Sequence, residues 1–278
     1  MAVFDIIENI NDALDSWYEN LDKVIDVVTT NPRNMGGGAV DLIVKNLYNT
    51  TEAIGISLLV LCFFIGIFGA ASSMAETKRP EAVFKLLIRT GVTATLVTRG
   101  FDFMDRILDI CQSLVRDLNN SVSFSNTEVP QEIVTAVSDV GFLEKIPILI
   151  VSLLGSIAIL VASFIVLLTV YGRFFKVYLY MIISPIPLAT FAAKSTSQIS
   201  ISFIKNYIGV GLEAAVIIAS IQLYKVYSTT VLDSPLIDTT ATASSMVWGY
   251  LTTTIFNILI LVIIIKTSTS LVKEMFGL

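Results

Sequence analysis

The sequence contains no histidine, and this absence excludes several kinds of chemistry. Without histidine there is no Ser-His-Asp or Cys-His catalytic arrangement and no HExxH zinc motif. A GxxxxGK[ST] phosphate-binding loop is also missing, because Gly36-Gly37-Gly38 is followed by Ala39 and Val40 rather than by a lysine. We therefore expect no catalytic residues, no cofactor, no metal site and no enzyme activity. Any energy that the protein's process consumes must come from another protein.

Charged residues are also scarce, at 15% of the 278 residues, while 54% are hydrophobic. Soluble domains have about a quarter charged residues, and the mean hydropathy here is +0.79. A bilayer span needs about 20 mostly apolar residues, and several such runs are present. The first ten residues hold two acids and no base, so we expect no signal peptide. The fold class that follows is all-α, a polytopic transmembrane helical bundle.

Residues 1–38 are expected to form an acidic amphipathic N-terminal helix and a glycine-rich hinge. Apolar residues recur at three- and four-residue spacings from Phe4 to Val28, which is the pattern of a helix with one apolar face. The opposite face is acidic, with Lys23 as its lone base. Helices that lie on membrane surfaces normally present Lys and Arg to lipid. We therefore expect this helix to pack on protein.

The rest of the chain predicts five full spans plus one proline-broken segment that re-enters or kinks. Residues 39–101 are expected to hold the first two transmembrane helices. Residues 102–146 read as an extracytoplasmic helical loop with amphipathic helices outside the membrane. Residues 147–278 form the transmembrane core, with a short C-terminal tail. Its spans are predicted at about 147–171, 207–224 and 246–265, with the broken segment at 174–193.

The distribution of charge predicts the orientation of these spans. Residues 1–50 and residues 102–145 each carry eight acids and three bases, whereas the turn with Lys78 and Arg79 is basic. Basic short loops mark the cytoplasmic side. The N-terminus is then outside, and the third span delivers Arg173 to the cytoplasm. If 174–193 turns back instead of crossing, the C-terminus is cytoplasmic and the later lysines also lie inside, so we favour that arrangement.

The broken segment contains Ser184, Pro185 and Pro187. Two prolines in three residues remove backbone donors and interrupt the helical hydrogen bonds. Irregular backbone at membrane depth persists only where protein buries it or where it lines water. From the sequence, this region is either a packing kink in the bundle or part of a polar path.

Charged residues inside the predicted spans are the other candidates for function. Lys85 and Arg99 lie near the ends of the second span and can extend towards the membrane surfaces. Arg89 lies deeper, and Glu213 is an acid in the middle of its span. We expect an Arg89–Glu213 ion pair between two helices. The alternative is a cationic stripe of Lys85, Arg89 and Arg99 lining a path for a polyanion such as DNA.

Small residues in the span of Glu213 predict close helix packing. Gly209, Gly211 and Ala215 share this span, and Gly211 and Ala215 have the small-xxx-small spacing of helix–helix contacts in membranes. Gly209-x-Gly211 is not a dinucleotide-binding motif here, since no strand precedes it.

Three runs together resemble the TrbL-type family of type IV secretion (conjugation) systems. They are the aromatic run 171–175, the small-residue and proline run 182–191, and the polar connection 203–207 that leads into another span. The resemblance covers roughly residues 50–275. Members of the family often carry tryptophan near the position of Tyr207, and this sequence does not. The compact chain without a long soluble C-terminal domain is similar to versions from mobile elements of Gram-positive bacteria.

The resemblance implies a multi-pass channel subunit in the bacterial cytoplasmic membrane, surrounded by membrane lipid. It implies a homo-oligomeric ring, for which we expect a pentamer, and partners among the other secretion-system membrane subunits and ATPases. The implied substrate is single-stranded DNA bound to a relaxase, in transient passage. The alternative function is a stand-alone small-solute transporter or ion channel, in which Glu213 and Arg89 would be ligands at mid-membrane.

Overall fold

The computed structural model describes residues 6–77, 81–119, 129–139, 141–230 and 242–277. Within these ranges the chain forms α-helices and short 3₁₀ segments and no strand, so the all-α prediction is confirmed. The basic turn with Lys78 and Arg79 lies outside the described residues. In chain order the helices are α1 Ile6–Thr29, α2 Ala39–Thr77, α3 Glu81–Thr98, α4 Gly100–Leu118, α5 Gln131–Ser138, α6 Phe142–Ile183, α7 Pro185–Ala189, α8 Ser197–Thr230 and α9 Ala243–Met275, with 3₁₀ helices at Pro32–Gly38 and Thr190–Ala192.

Four helices in the described part of the chain are long and apolar enough to cross a membrane. They are Ala39–Gly69 in α2, Lys145–Ile183 in α6, Ser197–Ser228 in α8 and Ala243–Met275 in α9. Large apolar side chains such as Phe68, Phe164 and Phe175 are exposed on them. In water such faces would be an aggregation hazard, but in a bilayer lipid or a neighbouring helix covers them. The protein is therefore a multi-pass membrane protein.

The predicted second span corresponds to α3, which is not one of these four helices. It has 18 residues and includes Glu81, Lys85 and Arg89. Three charged residues in so short a helix are costly in hydrocarbon. The count of five full spans therefore stays a prediction that depends on α3.

The predicted boundary between a span ending at Tyr171 and a segment starting at Phe174 is not present. Helix α6 continues without a break for 42 residues, about 63 Å at about 1.5 Å per residue. The single Gly172 costs a helix only about 1 kcal/mol, which is too little to end it. Arg173 is 0% exposed rather than in a cytoplasmic loop, and it hydrogen-bonds within the protein. The break comes at Ser184 instead.

Contacts divide the chain into two compact units, and unit 1 comprises Met1–Thr29, Leu118–Tyr171 and Val216–Ser268. The apolar face of α1 is buried in this unit, as its spacing predicts. The Ser156 hydroxyl on α6 donates to the Asn9 carbonyl on α1 at 3.1 Å. Trp17 packs edge-on against Tyr224 on α8, with ring centroids 6.4 Å apart. The exposed face of α1 carries Glu8, Asp12, Asp15, Glu19, Asp22 and Asp26.

Unit 2 comprises Thr30–Asp117, Gly172–Ala215 and Thr269–Leu278. Helix α7 packs against α2 and α3, and the last turns of α6 pack against α8. Since α8 follows the break and returns to Arg173, the chain reverses direction between Ser184 and Ser197. The Tyr48 hydroxyl donates to the Val97 carbonyl at 2.7 Å, which joins α2 to the end of α3. One apolar core cluster of the unit is Val44, Tyr48, Phe101, Met104, Leu108, Val177, Met181, Tyr207 and Val210.

Candidate functional site

The proline break is a compact turn of helix-like backbone in unit 2. Helix α6 ends at Ile183, and Ser184 leads into the five residues of α7, which begin at Pro185. A single 3₁₀ turn follows and ends at Ala193, whose extended backbone stops the helical path. Pro185 is suited to the first position of a helix because its missing N–H has no acceptor there. Ser184, Pro185, Leu188, Ala189 and Thr190 are buried.

Side chains supply hydrogen bonds to the carbonyls at the break. The Thr51 hydroxyl on α2 donates to the Ile182 carbonyl, and the Ser200 hydroxyl on α8 donates to the Pro187 carbonyl at 2.6 Å. The hydroxyl of Thr196 donates to the Thr190 carbonyl at 2.6 Å. Backbone groups in hydrocarbon must be paired within the protein. These bonds therefore favour a packing kink over a polar path at the break.

Arg89 binds the far end of the break. Its Nε–H donates to the Phe191 carbonyl, and its guanidinium carbon lies 4.7 Å from the centre of the Phe191 ring. A cation at the carboxyl end of a helical turn meets the unpaired carbonyls and the negative end of the helix dipole. Stacking on an aromatic ring adds a cation–π interaction. Arg89 is thus a clamp on the break, contributed by α3.

Gly55 allows α2 to approach the break closely. A Cβ atom at this position would lie 2.7 Å from Pro185 Cβ and 2.8 Å from the Pro185 carbonyl oxygen. Real Cβ atoms do not approach backbone this closely, so any side chain at position 55 pushes α7 away from α2. The residues next to Gly55 in the sequence do not indicate this contact, because its partner Pro185 lies 130 residues further along the chain.

Glu213 has different partners from those expected. It is 1% exposed, and its Oε1 accepts a hydrogen bond from the Thr269 hydroxyl on α9 at 2.6 Å. The nearby cation is Arg173, which interacts electrostatically with Glu213. Arg89 contacts Phe191 instead, so the structure gives the two residues of the expected Arg89–Glu213 ion pair separate surroundings.

Arg173 is the buried charge that the sequence analysis placed elsewhere. Its Nε and Nη2 donate to the Val210 and Gly211 carbonyls of α8, at 3.0 and 3.2 Å. A signal for this burial exists in the sequence, since Arg173 continues the stripe of buried α6 residues formed by Val166, Val170 and Val177. The positive-inside rule predicts a cytoplasmic position for Arg173, but it does not indicate that the side chain is buried in protein.

The small residues of α8 lie where neighbouring elements come close. A Cβ on Gly211 would lie 2.7 Å from the Cys111 sulfur on α4, and one on Gly209 would lie 3.4 Å from a Val272 methyl group on α9. Ala215 is 8% exposed. The Gly211 contact matters most, because it lets α4 approach the carbonyl groups that hold Arg173.

Lys85 and Arg99 are exposed. Lys85 lies one helical turn before Arg89 on α3. Arg99 lines an open cleft of about 650 Å³ in unit 2, at the junction of α3 and α4. Arg33 and Asp105 form an ion pair of 2.5 Å in the wall of this cleft. Burial raises the pKa of the Asp105 carboxyl, and the charge of Arg33 opposes that rise. The other residues that line the cleft are Thr95, Leu96, Asp102, Phe103, Arg106 and Asp109.

The two cysteines lie at different places in unit 2. Cys62 is in α2 and Cys111 in α4, and both thiols are free and buried. Burial raises the pKa of the Cys111 thiol, with Arg173 acting in the opposite direction. Among the described residues there is no cluster of three or more His, Cys, Asp or Glu side chains that could hold a metal ion.

Comparison with known families decides the class of the protein. Residues 18–185, more than half of the chain, match the family described as TrbL/VirB6 plasmid conjugal transfer like protein. The chain belongs to the TrbL/VirB6 family. No curated protein and no solved structure matches it. The family match begins within α1, which is earlier than the resemblance noted from about residue 50, and it ends at Pro185 in the break.

Membership of the TrbL/VirB6 family confirms the resemblance drawn from the sequence and identifies a membrane component of a type IV secretion or conjugation system. The matched range includes Arg89 and Arg173. It leaves out Glu213 and the other partners of Arg173 on α8. The family is one of structural channel subunits rather than of enzymes.

Proposed function

We propose that this TrbL/VirB6 protein is a membrane-embedded channel or scaffold subunit of a conjugative DNA-transfer machine. It helps to move a DNA–relaxase substrate across the cytoplasmic membrane, and partner ATPases supply the energy. The match of residues 18–185 to the conjugal transfer family is the observation that carries this proposal. The four membrane-capable helices support it. So does the sequence, which offers no phosphate-binding loop for a nucleotide.

The proposed topology has five crossings, made by α2, α3, α6, α8 and α9. The break between α6 and α8 is the re-entrant element of this topology, entered from the cytoplasmic side, with the N-terminus outside and the C-terminus inside. The reversal of the chain between Ser184 and Ser197 supports the position of this element. Lys194 is exposed there, and a lysine in a short loop suits the cytoplasmic side. The oligomer is proposed as a ring, with five copies, around a central axis.

A labelling experiment tests the topology. A variant without Cys62 and Cys111 receives one new cysteine, either Lys23→Cys on α1 or Lys273→Cys near the end of α9; both positions are exposed. A membrane-impermeant thiol reagent added to intact cells should label position 23 and leave position 273 unlabelled until the cells are broken. The reverse pattern, or labelling of both positions, would reject this orientation.

Complementation of a gene deletion tests the function. Deletion of the gene should abolish conjugative DNA transfer, and the intact chain should restore it at matched protein level. A Pro185→Ala/Pro187→Ala variant should restore little transfer, because α6 is then free to continue through the turn. Pro147→Ala is the matched control, since Pro147 lies inside the continuous helix α6 and is exposed.

Each outcome of that experiment has a clear meaning. If the double proline variant transfers DNA as well as the intact chain, the subunit has its proposed role but the shape of the break is not needed. If deletion leaves transfer unchanged, the transfer function is wrong. Uptake or conductance of a small solute that depends on the chain would then favour the transporter alternative.

A further inference from the structure

Unit 2 contains polar side chains that are buried without hydrogen-bond partners in the described part of the chain. Three helices contribute them. The Tyr207 hydroxyl on α8, the Nη1 group of Arg173 on α6 and both ends of the Gln112 amide on α4 lack such partners. The three residues are 1%, 0% and 0% exposed. Leaving such groups unpaired is costly, and native proteins pair nearly all of them, often with internal water.

These side chains lie along one polar line between α4 and α8. Asp105, Leu108, Cys111 and Gln112 are on the same buried face of α4, one or two helical turns apart. Tyr207 packs in one cluster with Leu108 of α4. Gly211 meets the Cys111 sulfur, and Arg173 donates to the Gly211 carbonyl. These contacts place a line of polar groups from Asp105, in the wall of the open cleft, past Tyr207 and Cys111 to Arg173.

The charges along this line are balanced, which defines the chemistry of an occupant. Arg33 pairs with Asp105 at one end, and Arg173 lies near Glu213 at the other. A small anion or a metal cation would find an opposing charge beside each attractive one. The groups that need partners are a donor on Arg173, a hydroxyl on Tyr207 and a complete amide on Gln112. Water is the small molecule that donates and accepts at once.

We propose that unit 2 holds a chain of ordered water molecules that runs from the cleft at Asp105, past Tyr207, to the buried guanidinium of Arg173. The water pairs the hydroxyl of Tyr207 and the remaining N–H groups of Arg173, and Gln112 is a further contact on the same face. Cys111 lies beside this chain. The water chain does not depend on DNA transfer, and it can be tested on the purified chain alone.

X-ray radiolytic labelling of the purified chain in detergent is the direct test. Radiolysis of a bound water oxidises the side chains next to it, even when bulk solvent does not reach them. Cys111 should therefore be oxidised several-fold faster than Cys62. The pair is matched, since the two thiols are 3% and 2% exposed, and Cys62 reports any general unfolding. In water enriched in oxygen-18, the label should appear on Cys111. Equal and slow oxidation of the two cysteines would overturn the proposal.

Two variants add a second, independent readout. Gln112→Leu and Tyr207→Phe each remove a proposed water contact, so oxidation of Cys111 should fall towards the rate at Cys62. The Tyr207→Phe variant should also unfold at a lower denaturant concentration than the native chain, because a hydrogen-bonded hydroxyl is lost. Tyr180→Phe, in the neighbouring ring that packs on Tyr207, is the control for the aromatic packing. A Tyr207→Phe variant that is more stable than the native chain would show a dry, unpaired hydroxyl and would reject the water chain.

Discussion

The close approach of α2 to the proline break predicts how glycine-to-alanine substitutions at three positions of α2 will differ in their effect on stability. Gly55→Ala places a methyl group 2.7 to 2.9 Å from three atoms of Pro185, two of which belong to the backbone. Gly66→Ala places it 2.5 Å from the Cδ1 atom of Leu86, at the end of a flexible side chain. Gly69→Ala meets nothing within 4 Å. The three substitutions are chemically the same, and only their surroundings differ.

The expected magnitudes follow from two terms. Each substitution gains up to about 1 kcal/mol because alanine favours a helix over glycine. At position 55 this gain is opposed by overpacking, which costs about 1–3 kcal/mol when the neighbour is rigid. Because the helix term is common to both variants, Gly55→Ala should be less stable than Gly69→Ala by that overpacking term. Gly66→Ala should fall between them, because Leu86 can change rotamer at about 0.5–1.5 kcal/mol.

Reversible unfolding in mixed detergent micelles is a suitable assay for this series. The free energies of unfolding of the three variants and the native chain are compared under one set of conditions. The predicted order of stability is Gly69→Ala first, then Gly66→Ala, then Gly55→Ala. A Gly55→Ala variant as stable as Gly69→Ala would refute the close contact between α2 and Pro185. In the mating assay, Gly55→Ala should reduce transfer while Gly69→Ala leaves it unchanged.

Three further predictions concern the charged residues. Arg173→Met should destabilise the protein by about 3–5 kcal/mol, because Glu213 then stays buried without the guanidinium charge. Arg173→Met/Glu213→Leu should recover most of that loss in the same unfolding assay. A double variant as unstable as the single one would contradict the coupling of the two residues. Arg89→Met should destabilise the protein by about 1–3 kcal/mol, because the hydrogen bond to the Phe191 carbonyl is lost. Lys85→Met, at an exposed site of the same helix, should change stability by less than about 0.5 kcal/mol. Equal effects of the two substitutions would show that Arg89 does not hold the break. Burial raises the pKa of Asp105, so its contribution to stability is full below its unfolded pKa of about 3.9 and is lost as the pH rises through the folded value. The stability of Asp105→Asn, which copies the protonated form, should therefore rise relative to the native chain as the pH increases above about 3.9. A pH-independent difference would show that folding does not raise the pKa of Asp105.

Local pattern was enough to predict an all-helical membrane protein and the amphipathic helix α1, but not the pairing of charges. The three- and four-residue spacing in residues 4–28 predicts both α1 and its buried face, because that information lies within one helix. The partner of Arg89 could not be read in this way. A charge inside a span needs a partner, and Glu213 was chosen because it is an acid in the middle of a predicted span. The actual acceptor is the Phe191 carbonyl, and backbone acceptors carry no mark in the sequence.

The extent of α6 shows a second limit of the sequence. Tyr171-Gly172-Arg173-Phe174 looks like the end of a span when the charge of Arg173 is assigned to a loop. Its burial depends on two carbonyl groups of α8 and on the missing side chain of Gly211, nearly forty residues away in sequence. The break at Ser184 was predictable because proline acts on its own backbone. The closure of the break by Thr51, Ser200 and Arg89 was not, since each comes from a different helix.

The exposed face of α1 has a consequence for the traffic of a charged polymer. From Glu8 to Asp26 it presents six carboxylates along about 27 Å of helix, so its linear density of negative charge is comparable in scale to that of one DNA strand, at about one charge per 3.4 Å. Like charges at such density repel over about a Debye length, roughly 8 Å at physiological ionic strength. A DNA strand that moved past this face would be repelled by it and would slide along it without binding.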